Sequence, residues 1–386
     1  MDNSIKNAVE KFELLLKSQL ERAKKIKEEK SFTDYASLDK IVIGIIPGDG
    51  IGPIILREAK RVLNFLLNDK IKEGKVELKD IEGLTIENRV KHLKSIPDDV
   101  MAEIKSCNVL LKGPTTTPSK GDGLPNLESA NVTMRKQLEL FANVRPVKVH
   151  EKGIDWTFFR ENTEGSYAVG SQGINVTDDL AVDFCIATDE GCERIIRAAF
   201  EFAKANGKKR VSAVTKANII KTTDGKFLDK CKEVAKEYPE IELDSWYVDI
   251  MTANLINEDI RSQFEVFVLP NLYGDIITDE AAQIQGGVGT AGSSNLGKKY
   301  AMFEAIHGSA PRMIEAGIGE YANPSSILKA SEMLLRHIGF GDLADKLDRA
   351  LTICTEEEKK VVVTGDRNGA TCKEFADYLM DTVTNL

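Results

Sequence analysis

The chain has 386 residues, 29% of them charged, and a formal net charge of −9 at neutral pH. Such a length buries a large core in one or two domains, and the acidic balance argues against nucleic acid or an anionic membrane as the main partner. An anionic substrate would need a local basic cluster. The longest early apolar run, Ile41–Ile46, is far too short to span a bilayer. The cysteines, Cys107, Cys185, Cys192, Cys231, Cys354 and Cys372, are scattered without a C-x-x-C pair, and no zinc spacing occurs. Free thiols in a reducing, cytoplasmic setting are expected.

Residues 1–30 place Val9, Phe12, Leu15, Leu16, Leu20 and Ala23 at helical spacing. Acids and few arginines disfavour a transit peptide, so this reads as a helix for packing or oligomer contact. From residue 40 short β-rich runs alternate with helical patterns. Strands are expected at Ile41–Ile46, Val109–Lys112, 156–160, 211–215, 264–269 and 361–364. Helices are expected at 53–68, 98–106, 190–206, 226–237 and Ser325–His337. This rhythm predicts an α/β protein. Two glycine-rich stretches imitate a dinucleotide fingerprint. Gly287-Val-Gly-Thr-Ala-Gly292 fits by letter, but a helical stretch precedes it instead of a strand. Gly48-Asp-Gly-Ile-Gly52 follows a strand, but its next residue is Pro53, and a tight turn before a Pro-started helix explains it.

Chemistry concentrates in Asn271-Leu-Tyr-Gly-Asp-Ile-Ile-Thr-Asp279. Asp275 and Asp279 lie one helical turn apart on one face. Two like charges so close call for a cation between them, and Mg²⁺ or Mn²⁺ prefers oxygen ligands; two solvated acids at a helix start are the plainer alternative. Arg135, Arg145 and Arg160 stand near predicted element ends. They suit a small polycarboxylate, which guanidinium grips in planar two-pronged fashion.

Five motifs occur in order: Gly48-Asp-Gly-Ile-Gly-Pro53, the block ending Asn143-Val-Arg-Pro146, Arg160-Glu-Asn-Thr-Glu164 with Tyr167, the Asn271 motif, and His307-Gly-Ser-Ala-Pro311 with Asn323-Pro324. Together, over residues 40–386, they resemble the isocitrate/isopropylmalate dehydrogenase family of metal-dependent β-decarboxylating dehydrogenases. The resemblance implies two α/β domains flanking a cleft, not a Rossmann fold. It implies a helical extension at 1–39, a large domain from 40–140 and 286–386, and a small domain at 141–285 with a dimer clasp near 165–190. It also implies a homodimer with shared sites. Asp275 and Asp279 resemble metal ligands of one subunit, and Asp249 the ligand lent by the other. Lys221 resembles the lent catalytic base, partly desolvated beside the cation, and Tyr167 the general acid. Ile250 and Ala253 depart from residues common in relatives near Asp249.

Ser129 and Asn131, before Arg135, resemble the polar arrangement of isocitrate enzymes rather than the apolar one that receives an isopropyl group. Isocitrate is therefore expected, with Lys112, Arg145 and Arg160 also binding it. Homoisocitrate, isopropylmalate or tartrate are alternatives, as is a non-catalytic regulatory subunit. Such subunits tend to lose the tyrosine, lysine or metal aspartates, all present here. Thr117, His307, Gly308, Ser309, Ala310, Arg312, Asn323 and Asp366 resemble coenzyme contacts. Arg312-Met313 matches neither the Lys-Tyr of NADP-linked members nor the Asp of NAD-linked ones. Gly365, where bacterial NADP enzymes supply a tyrosine, tips the expectation to NAD, with NADP kept open by Arg312 and Arg367.

Overall fold

The computed structural model describes residues 3–28, 31–118, 121, 123–170, 172–287 and 291–386. Its strands are, in chain order, β1 (Ile41–Ile46), β2 (Val76–Asp80), β3 (Val109–Lys112), β4 (Ala142–Val149), β5 (Ile154–Glu161), β6 (Ile174–Thr177), β7 (Leu180–Val182), β8 (Arg210–Thr215), β9 (Glu242–Tyr247), β10 (Val266–Leu269), β11 (Gly292–Leu296) and β12 (Ala301–Ala305). The chain divides into two compact units, Met1–Phe32 with Glu139–Ile284, and Thr33–Leu138 with Gln285–Leu386.

In the unit containing Thr33–Leu138, the strands run β2-β1-β3-β12-β11. β1 pairs in parallel with β2 and β3, β3 in parallel with β12, and β12 antiparallel with β11. Ile43, Ile45 and Ile46 of β1 are buried because the strand is central and covered. The helices Gly52–Leu66, Ser325–His337, Gly341–Thr352 and Cys372–Thr384 bring apolar faces to one core that includes Leu63, Leu334, Leu347 and Leu379. Pro53 sits in the first turn of its helix, where its missing N–H costs nothing.

In the other unit the order is β4-β5-β10-β8-β9. β4 and β5 are antiparallel; β5, β10, β8 and β9 pair in parallel. Phe158 stacks on Phe267 with ring centroids 4.4 Å apart, and Trp156 meets both edge-on. The register sets Arg160, near the end of β5, opposite Leu269, the last residue of β10. The chain then turns through Pro270 into the helix Asn271–Gln285. Parallel strand ends thus deliver Arg160 to the start of that helix, the usual location of sites in open α/β sheets.

The N-terminal helix Asn3–Glu28 buries Leu15 and Ile26 and packs on β6 and on the helix Asp189–Ala205. β6 and β7 form a separate hairpin whose Leu180 and Val182 are exposed. Among the described residues no helix is long and apolar enough to cross a membrane. One expected strand is absent. Residues 361–364 form a loop in which Thr364 bonds Asn368 and the Ala370 amide donates to Val362. Among the described residues no strand pairs with this β-branched stretch.

Candidate active site

The strand-end geometry assembles a compact charge network. Arg160 is buried, and its Nε and Nη2 donate to Asn271 Oδ1 at 3.0 and 2.7 Å. Its Nη1 donates to Asp275, and the Tyr167 hydroxyl donates to the other Asp275 oxygen at 2.7 Å. The Arg160 guanidinium lies 5.3 Å from the Tyr167 ring centroid. Arg145, on β4, donates to Asp279 at 2.9 Å and to Thr278 Oγ1, and lies 3.6 Å from Asp275. The structure therefore brings Arg145, Arg160, Tyr167, Asp275 and Asp279 together. Gly274 permits this, because a Cβ there would come within 2.6 Å of the Arg160 side chain.

Lys221 and Asp249 are exposed on the same unit. Lys221 lies on the turn after β8, and Asp249 opens the helix Val248–Ile256 and pairs with Lys216 at 2.5 Å. That pairing lowers the Asp249 carboxyl, chiefly through its hydrogen bond from Lys216.

In the other unit a second cluster forms around Glu304 on β12. Its carboxylate accepts from Lys112 at 3.3 Å, Arg135 at 3.1 Å and Asn295 at 2.8 Å. Burial would raise this carboxyl, but Lys112, Arg135 and Asn295 outweigh it and hold it at about 2. Lys112 is fully buried, its ammonium bound to Glu304 and to the Gly113 carbonyl. The ammonium thus shares the Glu304 carboxylate with Arg135. Asn131 accepts from Thr115 at 3.1 Å, and Ser129 stands at the start of the helix Ala130–Gln137 without capping it through its side chain.

The glycine-rich turn proves to be chain-against-chain packing. A Cβ at Gly48 would meet the Pro114 carbonyl at 2.2 Å, and one at Gly50 the Ser309 carbonyl at 2.0 Å. Buried Asp49 accepts from the Ile86 and Thr116 amides, each at 2.7 Å. Thr116 in turn bonds the Ser309 hydroxyl at 2.9 Å. The turn thus fixes the loops bearing Thr117 and residues 307–310. Ala310 is left-handed at φ 46° before the short helix Pro311–Glu315, and Gly308, Arg312, Asp366 and Thr117 are exposed. Burial lowers His307, whose Nδ1 faces the Gly308 carbonyl at 3.0 Å. Asn323 accepts from the Ser325 amide at 2.9 Å. Residues 288–290 of the other glycine-rich stretch lie outside the described residues.

Sequence reasoning missed Asn271, Glu304 and Asp49 as organising residues. An acid inside the apolar run Ala301–Ala305 was a readable signal, since a buried charge requires partners.

Among the described residues, no three His, Cys, Asp or Glu side chains cluster to hold a metal ion. Asp275 and Asp279 offer two carboxylates one turn apart, 36% and 60% exposed at the side chain. That donor set fits a hard divalent cation, which commonly takes one or two carboxylates and completes its shell with substrate oxygens and water.

A sequence profile of isocitrate/isopropylmalate dehydrogenases matches residues 42–379. The chain is 40% identical over 352 residues to isocitrate dehydrogenase [NADP] of Rickettsia bellii, covering 88% of this chain and 69% of that protein. It spans 62% of the length of the isocitrate dehydrogenases [NADP] of Rickettsia prowazekii and Rickettsia felis. It is 35% identical to homoisocitrate dehydrogenase of Methanocaldococcus jannaschii, covering 88% of this chain and 96% of that one. The crystal structure of isocitrate dehydrogenase from Methylococcus capsulatus matches with a TM-score of 0.77 and 34% identity over 89% of this chain and 99% of that one. The chain belongs to the isocitrate/isopropylmalate dehydrogenase family.

Proposed function

We propose that the protein catalyses the divalent-cation-dependent oxidative decarboxylation of isocitrate to 2-oxoglutarate and CO₂, reducing a nicotinamide coenzyme. The observation that carries this reading is the interlocked set of Arg145, Arg160, Tyr167, Asp275 and Asp279. Family membership supports it. Two buried guanidiniums suit substrate carboxylates, and Ser129, Asn131 and Arg135 are assigned to the same recognition. Asp275 and Asp279 would hold Mg²⁺ or Mn²⁺, with Asp249 contributed by a second copy of the chain. When bound, the cation would acidify the substrate hydroxyl and draw electrons from the adjacent carbonyl.

The chain's own residues manage the protons. Lys221, from the second copy, would accept the proton from the substrate hydroxyl oxygen, and the nicotinamide, when bound, would supply the acceptor for hydride from the carbon bearing that oxygen. Loss of the β-carboxylate as CO₂ leaves an electron pair on carbon. Tyr167, its hydroxyl directed by Asp275, donates the proton that quenches it. A homodimer follows from this division of labour, and the six free cysteines support a cytoplasmic setting.

We assign NAD as coenzyme, on Gly365 in a segment that supplies no tyrosine. NADP is the second reading, supported by the exposed guanidiniums of Arg312 and Arg367, which suit a 2′-phosphate. The test is steady-state turnover with Mn²⁺ of isocitrate, homoisocitrate, isopropylmalate and tartrate, each with NAD and NADP. Isocitrate with NAD should give the highest kcat/KM. A higher value with another acid would overturn the substrate assignment, and a higher value with NADP the coenzyme assignment.

A further inference from the structure

The N-terminal helix Asn3–Glu28 lies wholly outside the stretch that matches the family, which begins at residue 42. It is nevertheless wired to the candidate site. Leu15 and Ile26 seat the helix. Between them Arg22, with its side chain 18% exposed, reaches inward. Its Nε and Nη2 bind the two Glu139 oxygens at 3.1 and 3.2 Å, its Nη1 binds Glu164 at 3.2 Å, and Nη2 also binds Thr163 Oγ1 at 2.9 Å.

Glu164 belongs to the segment that leaves β5 after Glu161. Its carboxylate, 3% exposed, also accepts from the Thr188 amide and hydroxyl at 2.9 and 2.6 Å. Its backbone carbonyl accepts from Asn271 Nδ2 at 3.1 Å. The same Asn271 holds Arg160 through two hydrogen bonds, and Arg160 meets Asp275. An unbroken path therefore runs from Arg22 through Glu164 and Asn271 to Arg160 and Asp275.

The charge balance shows why Arg22 matters. Glu139, Glu161 and Glu164 gather here against Arg22 and Arg194, and Arg194 is already engaged with Glu139 and Thr163 at 3.1 and 2.7 Å. Burial raises the Glu161 carboxyl and the Glu164 charge raises it further. Removing Arg22 leaves three acids facing one cation, in a segment that fixes Asn271.

We propose that Arg22 is a positioning residue: the N-terminal helix uses it to clamp residues 163–164 and so hold Asn271 and Arg160 in the geometry that receives a substrate carboxylate. This rests on the isocitrate reading above. The test compares full-length wild type, Arg22→Met and Arg22→Lys. Arg22→Met should lower kcat/KM for isocitrate about tenfold, mostly through KM, while the coenzyme KM stays within about twofold. Arg22→Lys keeps the charge but loses the fork, and should recover part of the loss; it also serves if the Met variant fails to fold.

Wild-type values in both variants would overturn the proposal with the isocitrate reading intact. A lower melting temperature with unchanged KM would also overturn it, reducing Arg22 to a structural contact. Wild-type protein inactive on isocitrate would instead sink the substrate reading. Amide exchange at residues 271–275 then decides the clamp: faster exchange in Arg22→Lys supports it, and unchanged exchange overturns it.

Discussion

At the scale of single residues, the molecule places charge where it can be balanced. Glu304 keeps its negative charge in a buried position only because Lys112, Arg135 and Asn295 converge on it. His337 shows the opposite solution. It lies against Phe303 and Tyr35, its Nε2 3.3 Å from the Tyr35 hydroxyl, and burial pushes it down to about 4. Its unfolded value is near 6.5. The unfolded chain thus takes up the proton first as pH falls, so the stability contribution is fully present above about 6.5 and is lost between there and about 4. We expect unfolding free energy to drop across that window by on the order of 2 kcal/mol more in wild type than in His337→Phe. Urea melts at several pH values measure it; identical slopes for the two proteins would refute the assignment.

At the scale of elements, the site depends on one helix starting where two parallel strands end. Gly274 is the key to that junction. A methyl group there would come 2.5 Å from Arg160 Cγ, so the buried guanidinium would be driven off Asn271 and Asp275. Gly274→Ala should therefore raise the isocitrate KM at least about tenfold and also lower the melting temperature, because a buried charge loses its partners. Unaltered KM would show that Arg160 is not a substrate clamp.

The same scale explains what was legible in advance. β1, β3 and the helix Ser325–His337 were read with their observed bounds because their apolar patterns are strong. β2 and β9 were not, since Val-Glu-Leu-Lys-Asp and Glu-Leu-Asp-Ser-Trp-Tyr lie at sheet edges and carry the charges that edges tolerate. Arg145, Arg160, Tyr167 and the two aspartates were named from their motifs, but motifs give no pairing. That Arg160 is held by Asn271, and that Lys112 shares Glu304 with Arg135, are facts of three-dimensional packing.

At the scale of the whole molecule, two predicted site residues, Lys221 and Asp249, stand exposed, and Asp249 pairs with Lys216. If each active site takes them from a second copy, complementation should occur. Lys221→Met and Tyr167→Phe chains should each be nearly inactive alone. Dimers containing one of each would hold one intact site and one doubly defective site. Refolding equal amounts together should then restore about a quarter of wild-type activity. No recovery in verified mixed dimers would mean that each chain builds its site alone.

The central claim is that Asp275 and Asp279 hold a divalent cation against a hydroxy-polycarboxylate for oxidation and loss of CO₂. The most direct measurement is the yield of 2-oxoglutarate and CO₂ per reduced coenzyme from isocitrate, with Mn²⁺, after chelation, and in Asp275→Asn. One of each product per coenzyme in wild type with Mn²⁺, and almost none after chelation or in a folded variant, is the predicted result. Undiminished turnover in chelated wild type or in Asp275→Asn would contradict it.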